Sequence, residues 1–138
     1  YIFMLHGAAP FLSSRNKLII ITNTTFVRFV PKIFFNFDGF VKGSGKSVVI
    51  VSLTSHTHER GKLFQIKIKG GARDGEVIYE DNDWAHPKVV NYAKPIILKE
   101  GEGLTSVVTY VKNTNQPLGF GLTSEDEMDI IFGYYYIQ

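Results

Sequence analysis

The chain is expected to be all-β: an antiparallel β-sandwich, jelly-roll-like, of about eight or nine strands. Three observations lead there. Aromatic residues make up 14% of the 138 residues, and β-branched residues crowd short runs, as half-buried pleated surfaces require. Thirteen glycines and five prolines break those runs at short intervals. No window carries a helical apolar stripe with capping residues at its ends. Neither an internal repeat nor a low-complexity linker divides the sequence, so one domain spanning 1–138 is the economical reading.

Taken in order, strands are expected at 17–22, 25–30 and 33–37, within the least patterned part of the chain. The next, at 47–55, opens on Val48-Val49-Ile50-Val51. In 63–69, Phe64-Gln65-Ile66-Lys67-Ile68-Lys69 alternates, so apolar side chains face one way and polar ones the other. Gly70-Gly71 and Asp74-Gly75 then turn the chain into 76–80. Short strands at 88–91 and 95–98 follow. Glu100-Gly101-Glu102-Gly103 turns the chain into 104–112, where Thr105 to Val111 alternate again. Asn113-Thr114-Asn115-Gln116-Pro117 is another turn, and the last strands fall at 119–122 and 127–136.

Composition excludes several classes of function. Fifteen basic and thirteen acidic side chains give a formal charge of +2, and the charges are scattered. That is no electrostatic footprint for nucleic acid. The absence of cysteine excludes disulfides, thiolate zinc sites and cysteine nucleophiles, and leaves the compartment open. No apolar run reaches the ~18 residues of a membrane span. The opening residues 1–12 lack the charged and cleavable features of a signal peptide. Tyr1 in place of an initiating Met fits a processed chain or a piece of a longer one.

The chain has four histidines: His6, His56, His58 and His86. Two of them lie in Ser55-His56-Thr57-His58. On a strand, residues i and i+2 share a face, so both imidazoles can reach one metal ion without distorting the backbone. Alone, the pair also reads as two ordinary surface or rim histidines. Met4 and Met128 are the two methionines. Most strand methionines fill cores. Met128, however, ends a row formed by Ile130, Phe132, Tyr134 and Tyr136, and is the one soft coordinating atom in it. Two imidazoles and a thioether suit copper, above all Cu(I), better than zinc, calcium or magnesium. Three protein ligands leave a position open for oxygen, water or substrate.

Ser55-His56-Thr57-His58-Glu59-Arg60-Gly61-Lys62, with the strand after it, resembles the His-x-His strand of the copper type II, ascorbate-dependent monooxygenases. Gly121-Leu122-Thr123-Ser124-Glu125-Asp126-Glu127-Met128, then Ile130-Ile131-Phe132-Gly133-Tyr134-Tyr135, resembles that family's segment around its metal-binding methionine. Asp83-Trp84-Ala85-His86-Pro87 and Leu98-Lys99-Glu100-Gly101-Glu102-Gly103-Leu104 resemble bacterial members. The resemblance covers about 47–136 in the family's order, with the two metal motifs about 70 residues apart, and leaves 1–46 unassigned.

That resemblance is to the C-terminal domain of enzymes such as the peptidylglycine α-hydroxylating and dopamine β-hydroxylating monooxygenases. It implies that His56, His58 and Met128 ligate one copper ion, which binds oxygen and substrate for hydroxylation of an activated C–H bond. It further implies a small-molecule or peptide substrate, ascorbate or an equivalent reductant, and a second copper held by histidines of a separate N-terminal domain. By analogy, it implies a secreted or periplasmic protein.

Two departures from the family stand out. The chain is too short for both domains, and His6 and His86 cannot rebuild a three-histidine second site. The family also often bonds a cysteine directly after the methionine to one on a neighbouring strand. The positions that match here are Asp129 and Val108. Loss of such a bond would cost roughly 2–4 kcal/mol without compensation.

Other motifs read more plainly. Gly43-Ser44-Gly45-Lys46-Ser47 resembles the end of a phosphate-binding loop, but Phe40 stands where the first glycine belongs and a strand follows instead of a helix. It is read as a hairpin loop. His86 is read as a loop histidine, with Trp84 as a core anchor. Glu125, Asp126, Glu127 and Asp129 lack calcium-loop spacing and are read as a solvated acidic turn. Tyr134, Tyr135 and Tyr136 are expected to alternate between core and outer face. Asn23-Thr24-Thr25 fits a glycosylation acceptor, a triplet common by chance. No serine–histidine–acid triad can be argued.

Two function classes follow. The leading one is a copper-dependent oxygenase domain. The alternative is a non-catalytic β-sandwich, a structural or assembly subunit that keeps the fold with or without copper.

Overall fold

The computed structural model describes residues 42–111 and 121–138, together with the backbone of two earlier strands. Its strands are β1 (Lys17–Thr22), β2 (Ile33–Asn36), β3 (Val48–His56), β4 (Gly61–Lys69), β5 (Val77–Asp81), β6 (Val90–Leu98), β7 (Gly103–Tyr110) and β8 (Ile130–Ile137). No helix occurs among the described residues. The strands form two four-stranded sheets, β1-β8-β3-β6 and β2-β7-β4-β5, with every pairing antiparallel. That order is the eight-stranded jelly roll, so the predicted sandwich and its class are found.

The core lies between the sheets. Val48, Ile50, Leu53 and Ile131 of the first sheet meet Phe64, Ile66, Ile68, Leu104 and Val108 of the second. Alternation in β4 does what it predicts: Phe64, Ile66 and Ile68 are buried while Lys69 is exposed. In β8, Ile131 and Tyr135 join the core, and the row Ile130, Phe132, Tyr134 and Tyr136 therefore takes the other face. The expected alternation of the tyrosines is thus borne out.

Several boundaries differ from the sequence reading. The runs at 88–91 and 95–98 are parts of one strand, β6. Ile50 pairs with Ile96 but Ser52 with Asn91, so β6 carries extra residues there, including Pro95. A proline, which lacks an N–H, is tolerated because β6 is an edge strand. Gly121 and Leu122 are not in a strand, and β8 begins at Ile130 instead of 127. The run at 25–30 and the turn at 113–117 lie outside the described residues. The glycine-rich segment at 42–45 is a turn with Gly43 and Gly45 at positive φ, followed by β3 and not by a helix.

Strand pairing gathers three connections at one end of the sandwich. They are 57–60 between β3 and β4, 82–89 between β5 and β6, and the described part of the β7–β8 connection, residues 111 and 121–129. Each joins a strand of one sheet to a strand of the other. The histidine pair and Met128 sit at this end. At the opposite end, Glu102 accepts from Arg73 Nη2 at 2.7 Å and from the Lys99 N–H at 3.0 Å, tying two turns together.

Candidate metal centre

β3 ends at His56, and Thr57 and His58 are already outside the strand. The strand-face argument for the pair therefore fails in its detail. The chain instead turns at once, with the Gly61 N–H donating to the His58 carbonyl at 2.9 Å. Gly61 is required there by space: a Cβ would overlap the Thr57 side chain. The turn still brings the two rings together, with centroids 5.2 Å apart and planes nearly perpendicular.

His56 pairs with Ile130 across the sheet, and Ser55 pairs with Ile131. Paired residues share a face. Ser55 reaches Tyr79 of the opposing sheet at 3.1 Å, so Ser55 faces inward and His56 outward. His56 thereby joins the outer row of Ile130, Phe132 and Tyr134. Burial lowers the His56 pKa, and repulsion from His58 adds to it. Both effects favour the neutral imidazole, the form that binds metals.

His58 is buried, and its Nδ1 lies 2.9 Å from the Asp126 carbonyl. A carbonyl oxygen only accepts, so Nδ1 donates and a neutral ring keeps its lone pair on Nε2. A backbone carbonyl in this role commonly fixes the tautomer and orientation of a metal-bound histidine. The accepting residue is two before Met128, which is itself buried.

Five consecutive residues of this segment are held from outside it. Arg60 Nη1 donates to the Glu125 carbonyl at 2.7 Å. His58 bonds the Asp126 carbonyl. Arg60 Nη1 lies 3.8 Å from Glu127 Oε1. Tyr110 donates to the Met128 carbonyl at 2.7 Å. Ser106 donates to Asp129 Oδ2 at 2.9 Å. Sequence reasoning missed these tethers, because each joins an ordinary side chain to a distant partner, most often a backbone carbonyl.

The acidic segment is consequently not a solvated turn throughout. Glu125 is exposed, but Glu127 is only 3% and Asp129 only 2% exposed. Both Glu127 oxygens and Asp129 Oδ1 have no hydrogen-bond partner among the described residues. Burial raises the Glu127 pKa, while the charges of His58 and Arg60 and their backbone N–H groups, short of hydrogen-bond geometry, oppose it. Burial raises the Asp129 carboxyl to about 6, against the Ser106 hydrogen bond. The residue bonded to Asp129 is Ser106, not Val108, which packs in the core two positions further along β7.

Trp84 and His86 lie in the connection between β5 and β6. Trp84 is 41% exposed, so it does not anchor the core. Asp83 Oδ1 accepts from the Ala85 and His86 N–H groups, and this tight turn holds the following residues out of the sandwich. His86 is exposed, as expected of a loop histidine. Trp84 instead borders an open groove of about 350 Å³ with Glu59, Arg60, Lys62 and Val111, beside the His58 turn.

No group of three His, Cys, Asp or Glu side chains that could hold a metal occurs among the described residues. His56 and His58 bring two imidazoles to this end and Met128 a thioether, beside the buried carboxylates of Glu127 and Asp129. Nitrogen with soft sulfur fits copper, and fits poorly to the oxygen-seeking calcium and magnesium. No helix of the described residues is long and apolar enough to cross a membrane.

No curated protein matches the chain. The family described as "copper type II ascorbate-dependent monooxygenase, C-terminal domain" matches residues 41–138, which take in both the His56-Thr57-His58 turn and the Met128 segment. The match covers well over half of the sequence, and the chain belongs to that family.

Proposed function

We propose that His56, His58 and Met128 bind one copper ion, and that this domain is the oxygen- and substrate-binding half of an ascorbate-using monooxygenase. The observation that carries the reading is the hydrogen bond from His58 Nδ1 to the Asp126 carbonyl. It joins two motifs far apart in sequence and leaves His58 Nε2 for a ligand. The contact between the His56 and His58 rings supports one shared site.

In this reading the imidazoles and the thioether hold the ion, and the thioether favours Cu(I). Bound copper supplies the redox chemistry for hydroxylating an activated C–H bond. The chain's own residues fix the donors, keep His56 neutral and shield Met128 from water. The groove beside Arg60 and Trp84 offers an approach for a small-molecule or peptide substrate. A second copper domain outside these residues, or an assembly partner, delivers the electron that ascorbate or an equivalent reductant provides. The protein works in a secreted or periplasmic setting, as one domain over 1–138.

Anaerobic titration with Cu(I) tests the reading. The wild type is expected to take up one equivalent, with His56→Ala and Met128→Ala binding far more weakly. A folded wild type that takes up none contradicts it and leaves a sandwich without this chemistry. Stoichiometric binding without ascorbate-dependent turnover, even when a second copper domain is supplied, favours a non-catalytic copper module.

A further inference from the structure

Arg60 is the residue on which the two halves of the site converge. Its guanidinium donates to the Glu125 carbonyl at 2.7 Å and lies 3.8 Å from Glu127 Oε1. The same residue's carbonyl accepts from the Val111 N–H at 2.9 Å, which pins the turn to the end of β7. The Arg60 side chain is only 10% exposed and that of Glu127 only 3%. Arg60 Nη1 serves both partners, as a hydrogen-bond donor to the carbonyl and as an ion-pair partner at longer range to the carboxylate, while Nη2 lies 3.7 Å from Glu59 Oε1. A planar guanidinium this well buried fixes direction as well as charge.

Glu127 has the complementary feature. Its buried carboxylate has no hydrogen-bond partner among the described residues, and the Arg60 guanidinium is an ion-pair partner for it at 3.8 Å. A buried charge without compensation is strongly destabilising, whereas a pair removed together is often tolerated. The arrangement therefore ties the residues before Met128 to the turn that carries His58, and does so independently of the His58–Asp126 bond.

We propose that Arg60 is a positioning residue of the metal centre: through Glu125 and Glu127 it sets where Met128 stands relative to the histidine pair. The inference rests on the copper-site reading above, and its consequence is also visible without metal. In this role Arg60 acts through the methionine segment, apart from its place on the groove wall, and Cu(I) binding reads that role without substrate.

The test uses Arg60→Lys, which keeps the charge but loses the planar guanidinium that donates to the Glu125 carbonyl, and the double variant Arg60→Met/Glu127→Gln, which removes both members of the pair. In the metal-free proteins, amide exchange at 125–128 and the NMR line shape of the Met128 methyl group report on the segment. Both variants are expected to remain folded, to exchange faster there, and to show a more mobile methyl group. With Cu(I) as probe, both are expected to bind ~10- to 100-fold more weakly than wild type, the usual range for loss of a ligand-orienting partner. The double variant carries the argument if Arg60→Lys fails to fold, because it buries no unpaired charge. Folded variants with unchanged exchange, methyl mobility and Cu(I) affinity would overturn the proposal. If the wild type binds no Cu(I), the copper reading falls by itself, and the metal-free measurements still decide what Arg60 does.

Discussion

Asp129 holds a carboxyl where water scarcely reaches, with one oxygen bonded to Ser106 and the other without a hydrogen-bond partner among the described residues. Its folded pKa of about 6 lies above the unfolded value of 3.8. Between those values the folded protein keeps a proton that the unfolded chain has lost. Stability is then highest at low pH with respect to this group and falls as pH rises toward 6. In metal-free protein, Asp129→Asn is expected to gain on the order of 2–3 kcal/mol over wild type at pH 7 and little at pH 4. Denaturant unfolding at both pH values measures the difference, and an equal effect at both would show that ionisation is not the cause. Tyr110→Phe removes the donor to the Met128 carbonyl and is expected to cost ~1–2 kcal/mol by the same method. At this scale the sequence was readable where residue types are rare. Two histidines one residue apart and one late methionine stand out against a chain with four histidines and two methionines. Arg60, Ser106 and Tyr110 do not stand out, since their partners are distant and the bond often falls on a backbone atom that any residue carries.

The β3–β4 turn is the element that brings His58 beside His56. Its tightness depends on Gly61, where a Cβ would collide with Thr57. Gly61→Ala is expected to destabilise the fold by roughly 1–3 kcal/mol, typical of overpacking, and to weaken Cu(I) binding with it. Calorimetry and a Cu(I) titration on the same sample check both halves. The Arg73–Glu102 tie lies at the other end of the sandwich and serves as the control. Its hydrogen bonds from Arg73 hold the Glu102 pKa down, so the stabilisation is present at neutral pH and is lost as pH falls below the ordinary carboxylate value. Glu102→Ala is expected to cost roughly 2–3 kcal/mol at pH 7 while leaving Cu(I) affinity unchanged. Reduced affinity in that variant would mean that the two ends are coupled. Strands β3, β4, β5 and β7 were legible to within a few residues, because alternation and glycine turns mark them. The end of β3 was not, since a backbone turn after His56 leaves the apolar pattern undisturbed. β6 was read as two pieces because its extra residues and Pro95 imitate a break.

Across the whole molecule, the jelly roll brings together segments that the sequence keeps apart. β3 and β8 are neighbours in one sheet, so the last residue of β3 and the first of β8 meet as His56 and Ile130. The crossings to β4 and from β7 then deliver His58 and Met128 to the same end. The fold class followed from composition and punctuation, and the proposed site from two motifs that both lie within the family match over residues 41–138. What the sequence could not carry is the set of tethers on 125–129, which exists only once both sheets are formed. The most direct test of the account is the copper-edge X-ray absorption of the Cu(I)-loaded protein, wild type beside Met128→Leu. Copper held by His56, His58 and Met128 is expected to show imidazole nitrogens with one sulfur scatterer in the wild type, and loss of the sulfur alone in the variant. A wild-type spectrum without sulfur, or one that Met128→Leu leaves unchanged, would contradict it.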